Sequence, residues 1–367
     1  MKILHICPGF FQRKLYDQLF LALKSEGVLN EVFTLSYDKA DNADDKQYTV
    51  KILHKKFNLL DRLIFFGKQF IIIKEISRSF LLNDICVVHA HTLFSSGFAA
   101  YILNKKYGLP YIVAVRSTDL NLFLRYMLHL RIIGSGIIRN AQNVIFLSPA
   151  YQRSFIETHV KRSDRHKIYE KSVVIPNGID DFFLENIFES RKTDLSNTIK
   201  LIFIGEISDR KNILTTLRAC NILIDKGFNI RFTVVGDLAE KKYRKIISDN
   251  AFIVHHKRCQ REEVLMHLRN SDIFVMPSFY ETFGIAYAEA LSQGLPLIYS
   301  KGQGFDGHFE DGSVGFAVKS DDHVEIAQKI VHIHQNYKAF SERCISVARK
   351  FDWKIIASAY IRLYKEV

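Results

Sequence analysis

The feature that most constrains this chain is an alternation of short apolar runs with stretches of helical spacing. Residues 2–7, 31–35, 85–91, 110–115, 143–147 and 172–175 read as buried strands, with helical patterns at 15–25 and 96–106 between them. Strands that are apolar throughout and alternate with helices must be covered on both faces, and that makes a parallel sheet. The pattern lapses over residues 183–198, which are polar and irregular, and then restarts. Strands are predicted at 200–204, 231–235, 251–255, 273–276 and 295–299, with helices at 213–226, 262–270 and 283–293 and a helical tail at 341–367 holding Trp353. A chain of 367 residues is long for one core. The expectation is an α/β protein of two Rossmann-like, doubly wound domains, residues 1–182 and 199–349, joined by a linker at 183–198. Between such domains a cleft opens at the C-terminal ends of the strands, where ligands of open α/β sheets bind.

Composition narrows the partners. The net charge is +12, so the surface attracts polyanions: nucleic acid, anionic lipid or phosphorylated substrates. No zinc-finger spacing, aromatic RNA-binding string or arginine-rich tail is present, so nucleic acid is not an expected partner. Cys7, Cys86, Cys220, Cys259 and Cys344 are scattered without a CxxC pair, as in a reducing compartment, which points to the cytoplasm. No apolar run reaches the ~18 residues of a membrane-spanning helix. The opening MKILHICPGF, interrupted by His5 and Pro8, reads as a first strand and not as a secretory signal.

Residues 277–291 (PSFYETFGIAYAEAL) carry the strongest chemical signal. Glu281 follows a predicted strand and Glu289 lies eight residues later in a predicted helix. Eight helical steps span about 12 Å, too far for an acid and base on one glycosidic bond, which sit ~5–9.5 Å apart, but suited to the two ends of a long ligand. Between them Thr282, Phe283, Gly284 and Ile285 open the helix, where free N–H groups attract phosphate. Taken singly, Glu281 is better read as a helix-N-terminal residue favoured by the dipole and Glu289 as a surface residue.

This string resembles the E-x7-E signature of retaining glycosyltransferases of family GT4, which have the GT-B fold. IPNGID at 175–180, FIGEISDRKN at 203–212, VVGD at 234–237, DIFVMP at 272–277 and FDW at 351–353 extend the resemblance over nearly the whole chain. It implies a hexosyl transfer with retention of configuration from a nucleotide-diphosphate-sugar, without a metal or other cofactor. It also implies that residues 350–367 pack back on the first domain. Glu281 would contact the donor sugar, Glu289 the ribose, and Lys211, six residues after Gly205, the diphosphate. The family's arginine after this glycine is Glu206 here, with Arg210 as a replacement cation. The family's Gly-Gly after the first strand is reduced to Gly9 in Pro8-Gly9-Phe10. Its donor-side histidine is Arg116, which cannot act as a base at neutral pH. Arg116 is expected to hold a donor group or to pair with Asp119, and His91 is a second acceptor-side candidate, while His89 is expected in the sheet. The acceptor is expected to be a glycan or lipid-linked intermediate of bacterial surface polysaccharide or lipopolysaccharide synthesis. A nucleotide-sugar epimerase or hydrolase on the same fold, and a polyanion-binding protein without activity, are the alternatives.

No metal site emerges: Asp38, Asp41, Asp44 and Asp45 cluster without the glycine and distal glutamate of a calcium loop. Residues 51–82 mix lysines and arginines with Phe57, Leu59, Leu60, Phe65, Phe66 and Phe70, and Arg125, Arg131 and Arg139 flank Tyr126, Leu128 and Ile132. Both stretches suit either a core helix with a basic face or peripheral attachment to an anionic membrane, at the inner face of the cell membrane.

Overall fold

A computed structural model describes residues 1–11, 14–36, 38, 41, 43–54, 65–188 and 198–367. The chain divides into two compact units. The first is Met1–Leu147, Gln152–Gly178 and Trp353–Val367; the second is Ser148–Tyr151 and Ile179–Asp352.

The first unit is built on β1 (Lys2–Ile6), β2 (Leu29–Ser36), β3 (Thr49–His54), β4 (Val87–Ala90), β5 (Tyr111–Val115), β6 (Val144–Phe146) and β7 (Ser172–Val174). They form one parallel sheet in the order β3-β2-β1-β4-β5-β6-β7. Every residue of β4 and β5 is buried, as strands covered on both faces must be. The helix Lys14–Ser25 buries Tyr16, Leu19, Phe20 and Leu23, a one-face repeat. The helix Trp353–Glu366 buries Trp353, Ile356, Tyr360, Leu363 and Tyr364 and joins the same core. Trp353 is anchored there: its indole N–H donates to Gln18 at 3.2 Å, and a Cβ at Gly178 would lie 2.4 Å from its ring.

In the second unit β8 (Thr198–Ile204), β9 (Asn229–Val235), β10 (Ile253–His256), β11 (Ile273–Met276), β12 (Leu297–Ser300) and β13 (Gly315–Val318) form a parallel sheet in the order β10-β9-β8-β11-β12-β13. The strand order reverses between β1 and β4 in the first sheet and between β8 and β11 in the second. Such switch points leave a crevice beyond the strand ends.

Three expectations need correction. The tail is not one helix: Tyr337–Val347 passes into a 3₁₀ turn, Ala348–Phe351, and Asp352 is extended before Trp353–Glu366 begins. Residues 51–54 of the basic, apolar stretch belong to β3, and its helix starts at Phe65; residues 55–64 lie outside the described residues, as do 189–197 of the linker. The helix after β11 starts at Ile285 and not at 283, because Gly284 is left-handed, with φ +79°. No helix among the described residues is long and apolar enough to cross a membrane.

Candidate functional site

The second sheet's switch point gathers the strongest candidates. After β8, Gly205 opens a loop that ends in the 3₁₀ turn Asp209–Lys211. Asn212 follows in the left-handed region, φ +55°, and its side-chain N–H groups donate to the carbonyls of Pro277 (2.9 Å) and Ser320 (2.5 Å). That fastens the loop after β8 to the loop after β11. Phe279 N–H reaches Arg210 O at 2.9 Å, and the exposed Arg210 guanidinium reaches Tyr280 O at 3.0 Å. Lys211 and Glu281, both under a tenth exposed, are thereby brought together as an ion pair through Nζ and Oε2.

Glu281 is held at every other polar atom. Oε1 accepts the Thr282 N–H at 3.0 Å, the main-chain N–H donates to Gln303 Oε1 at 3.2 Å, and the carbonyl accepts from Gly304 N–H at 3.0 Å and the Tyr151 hydroxyl. Only glycine fits at 304, since a Cβ there would lie 2.2 Å from Thr282 O. A Cβ at Gly284 would likewise strike the Tyr287 ring at 2.4 Å. The left-handed turn at Gly284 means that Glu281 and Glu289 do not share one eight-step helical run. Phe283 is core, against Phe305, His308 and Phe351, and offers a ligand only its backbone. Ile285 begins the helix Ile285–Ser292, which carries Glu289. Burial and the Asp180 carboxylate push the Glu289 pKa up to about 7. Asp180 itself receives Arg261 at 2.9 and 3.0 Å. Glu206 is exposed.

The first sheet's switch point is different. Gly9 follows β1 in open space: among the described residues, a Cβ added there would meet nothing within 4 Å. His91, after β4, is fully buried, and so are His5 and His89. His5 Nε2 meets Asn30 Oδ1 at 3.0 Å, and His5 Nδ1 meets His91 Nε2 at 3.2 Å. Asn30 spends its own N–H on Phe20 O, so its oxygen faces His5. His5 Nε2 therefore carries a proton, and His91 Nε2 donates to His5 Nδ1. His89 Nδ1 contacts the Tyr364 hydroxyl at 2.7 Å. Burial lowers all three pKa values, that of His5 to about 3, and neighbouring positive charge from Arg116 adds to the effect at His89 and His91. The three rings are the only group among the described residues with metal-ligand composition and spacing, each offering a nitrogen within 4.8 Å of the others. His5 spends both nitrogens on hydrogen bonds, so the group reads as a core network. His91 is thus withdrawn as an acceptor-side residue: its ring is closed off and neutral.

Asp119 is corrected in the same way. Its carboxylate, 1% exposed, accepts the N–H groups of Leu93 (3.1 Å), Phe94 (3.2 Å) and Arg116 (2.9 Å). It clasps the loops after β4 and β5, and its link to Arg116 is through the main chain. Burial, opposed by those N–H groups, raises its pKa to about 6. The Arg116 guanidinium donates from Nε to His91 O at 3.1 Å. Sequence reasoning missed His5, Asn212, Tyr151 and Gln303. A polar residue in an apolar strand was the available signal for His5; the others act across long sequence separations.

The β8–β11 switch point thus joins a buried ion pair to a helix opened by glycine, and the class of protein comes from comparison with known proteins. The description "Glycosyltransferase Family 4" matches residues 15–181 and "Glycosyl transferases group 1" matches residues 186–351. The chain belongs to this glycosyltransferase family. It is 24% identical over 305 residues to alpha-monoglucosyldiacylglycerol synthase of Acholeplasma laidlawii, covering 75% of this chain and 71% of that one. It is 27% identical over 207 residues to phosphatidyl-myo-inositol mannosyltransferase of Mycobacterium leprae, covering 53% and 54%. For the second of these the chain thus spans about half the relative's length. Among solved structures, Anabaena HepE in complex with UDP and glucose shares the fold with a TM-score of 0.71 at 18% identity, over the whole of both chains. The architecture is GT-B.

Proposed function

We propose that this enzyme moves a sugar from a nucleotide-diphosphate-sugar, with retention, to a lipid-linked or polysaccharide intermediate in bacterial surface glycan synthesis. The observation that carries the reading is the Lys211–Glu281 pair at the second sheet's switch point. Lys211, with Arg210 beside it, is the cation for the departing diphosphate. Glu281 takes sugar hydroxyls, Glu289 a ribose diol, and the backbone from Thr282 to Ile285 the phosphates. The C1–O bond to phosphate breaks as the acceptor oxygen attacks C1 from the same face. The leaving phosphate oxygen takes the acceptor's proton. No step in this scheme calls for a metal or other cofactor. Relatives named for glycolipid and capsular polysaccharide synthesis support the acceptor class.

The enzyme works in the cytoplasm against the inner face of the membrane. Phe66, Phe70, Tyr126, Leu128 and Ile132 are 54–82% exposed on the first unit, among lysines and arginines, and such a surface suits an anionic bilayer. The test of the donor reading is a thermal-shift series with UDP-, GDP- and ADP-sugars. A donor at 100 times its Kd adds ~2.7 kcal/mol of stability, and no shift with any of them sinks the reading. Sugar release without acceptor would point instead to hydrolysis or epimerisation.

A further inference from the structure

The first unit has a basic pocket, with a volume of about 360 Å³, lined by none of the site residues described above. One wall is the helix Leu130–Asn140, which presents Arg131, Ser135 and Arg139 at four-residue spacing, one face of a helix. The other is the end of the helix Pro149–His159, with Thr158, His159 and then Lys161. Arg139 is partly neutralised by Asp164, its Nε 2.8 Å from Oδ2. Arg131 spends Nε and Nη2 on the neutral carbonyl of Leu124, at 3.0 and 2.9 Å. Lys161 is exposed and has no ion-pair partner among the described residues. Burial and Arg131 lower the pKa of His159, whose Nδ1 is buried without a hydrogen-bond partner among the described residues. The pocket therefore offers positive charge in excess, the Ser135 hydroxyl and a neutral imidazole, while the Thr158 hydroxyl is spent on Ser154 O at 2.5 Å.

We propose that this pocket binds the phosphate of an anionic lipid headgroup. The inference rests on the membrane location proposed above and is independent of the donor site. At about 30 Å³ per water, the volume equals on the order of ten waters, room for a phosphodiester with its glycerol. Beside it the chain raises an apolar ridge: Tyr126, Leu128 and Ile132 are 66%, 59% and 82% exposed, and Ile132 also lines the pocket. Charge in a recess beside an exposed apolar ridge matches a lipid, whose phosphate and chains are joined. A soluble phosphate would have no use for the ridge.

The experiment uses the full chain with phosphatidylcholine vesicles, with and without phosphatidylglycerol. The pocket variant is Arg131→Gln with Lys161→Gln. The control, Lys74→Gln with Arg78→Gln, removes the same charge from the first unit outside the pocket. The expected result is binding only to the anionic vesicles, weakened at least about ten-fold in the pocket variant and much less in the control. Equal weakening in both variants means diffuse attraction and overturns the site. Should Arg131→Gln lower the melting point, Lys161→Glu alone carries the test, since that side chain supports nothing. In parallel, dihexanoyl-phosphatidylglycerol should shift the His159 ring signals while dihexanoyl-phosphatidylcholine should not. Shifts with inorganic phosphate of equal size and affinity assign the pocket to a soluble anion and overturn the lipid source. Wild-type protein that binds no nucleotide-sugar yet passes these tests would sink the donor reading and leave this one standing.

Discussion

At the switch point between β8 and β11 the polar side chains are ionisable and paired, Lys211 with Glu281. Between β1 and β4 they are histidines, fully buried and held neutral, hydrogen-bonded through Asn30, His5 and His91. A bound anion can enter the first arrangement by substituting for one carboxylate oxygen, because the Lys211 cation remains to receive it. Nothing can enter the second without opening the core under Trp353–Glu366. On the proposed reading, two similarly ordered sheets put polar residues at the same place for different ends, one for exchange with a ligand and one for holding shape.

Removing Lys211 should have the largest effect. Lys211→Ala leaves the Glu281 carboxylate buried without its cation, at a cost of about 3–5 kcal/mol, and turnover should fall at least ~10-fold. Urea melts and initial rates measure the two. Lys211→Met combined with Glu281→Gln should recover most of the stability and none of the turnover. A double variant as unstable as the single would show that the two side chains are not coupled, and the contrast between the sheets would collapse.

The histidine cluster should show itself in acid. Its pKa values are lowered, so the unfolded chain takes up protons first as pH falls through about 6.5, and stability is lost from there downward. Each histidine contributes at most about 1.4 kcal/mol per pH unit. Replacing one, as in His5→Leu, should flatten the decline of melting temperature between pH 6.5 and 5. A wild-type melting temperature that is level over this range would mean that these rings are charged or open to water.

Part of this contrast could be read before the structure was known. Lys211 and Glu281 follow apolar runs that end at β8 and β11, so their place at strand ends was visible. Their pairing was not, because it depends on Asn212 bridging to Pro277 and Ser320, which no local pattern records. Gly284 was seen as permissive, yet nothing local showed that it would turn left-handed and break the helix between the two glutamates, or that the Tyr287 ring would leave no room there for a Cβ. β3 escaped notice because it is half-exposed and runs into the basic, apolar stretch that begins at Lys51, and β13 because Gly312 and Gly315 make its short run read as a turn. His91 looked like a strand-end candidate, since its burial depends on the register that sets His5 beside His89.

A smaller effect separates the two glutamates. With its pKa raised to about 7, Glu289 is largely protonated at pH 6 and largely ionised at pH 8. A ribose diol donates best to the ionised form, so donor affinity should rise with pH, by at most about ten-fold over that range. Glu289→Gln should bind more weakly at pH 8 and lose the pH dependence, as titration calorimetry would show. A slope that survives the substitution would move the ribose contact elsewhere.

The smallest expected effect bears most directly on the exchange at β8 and β11. On the proposed reading, Glu281 competes with phosphate for Lys211. A donor offsets that competition because its sugar hydroxyls bind Glu281, whereas the product diphosphate carries no sugar and meets the carboxylate as a like charge. Glu281→Gln removes the repulsion and keeps the shape, so it should bind free nucleoside diphosphate more tightly, by a few-fold at the ~1 kcal/mol scale of a partly screened charge pair. Turnover should fall at the same time, since the sugar loses an acceptor and the product leaves more slowly. Calorimetry on the diphosphate alone decides the point: weaker binding by Glu281→Gln would mean that the carboxylate assists phosphate binding by orienting Lys211, and the pair would be a fixed support like the histidines of the first sheet.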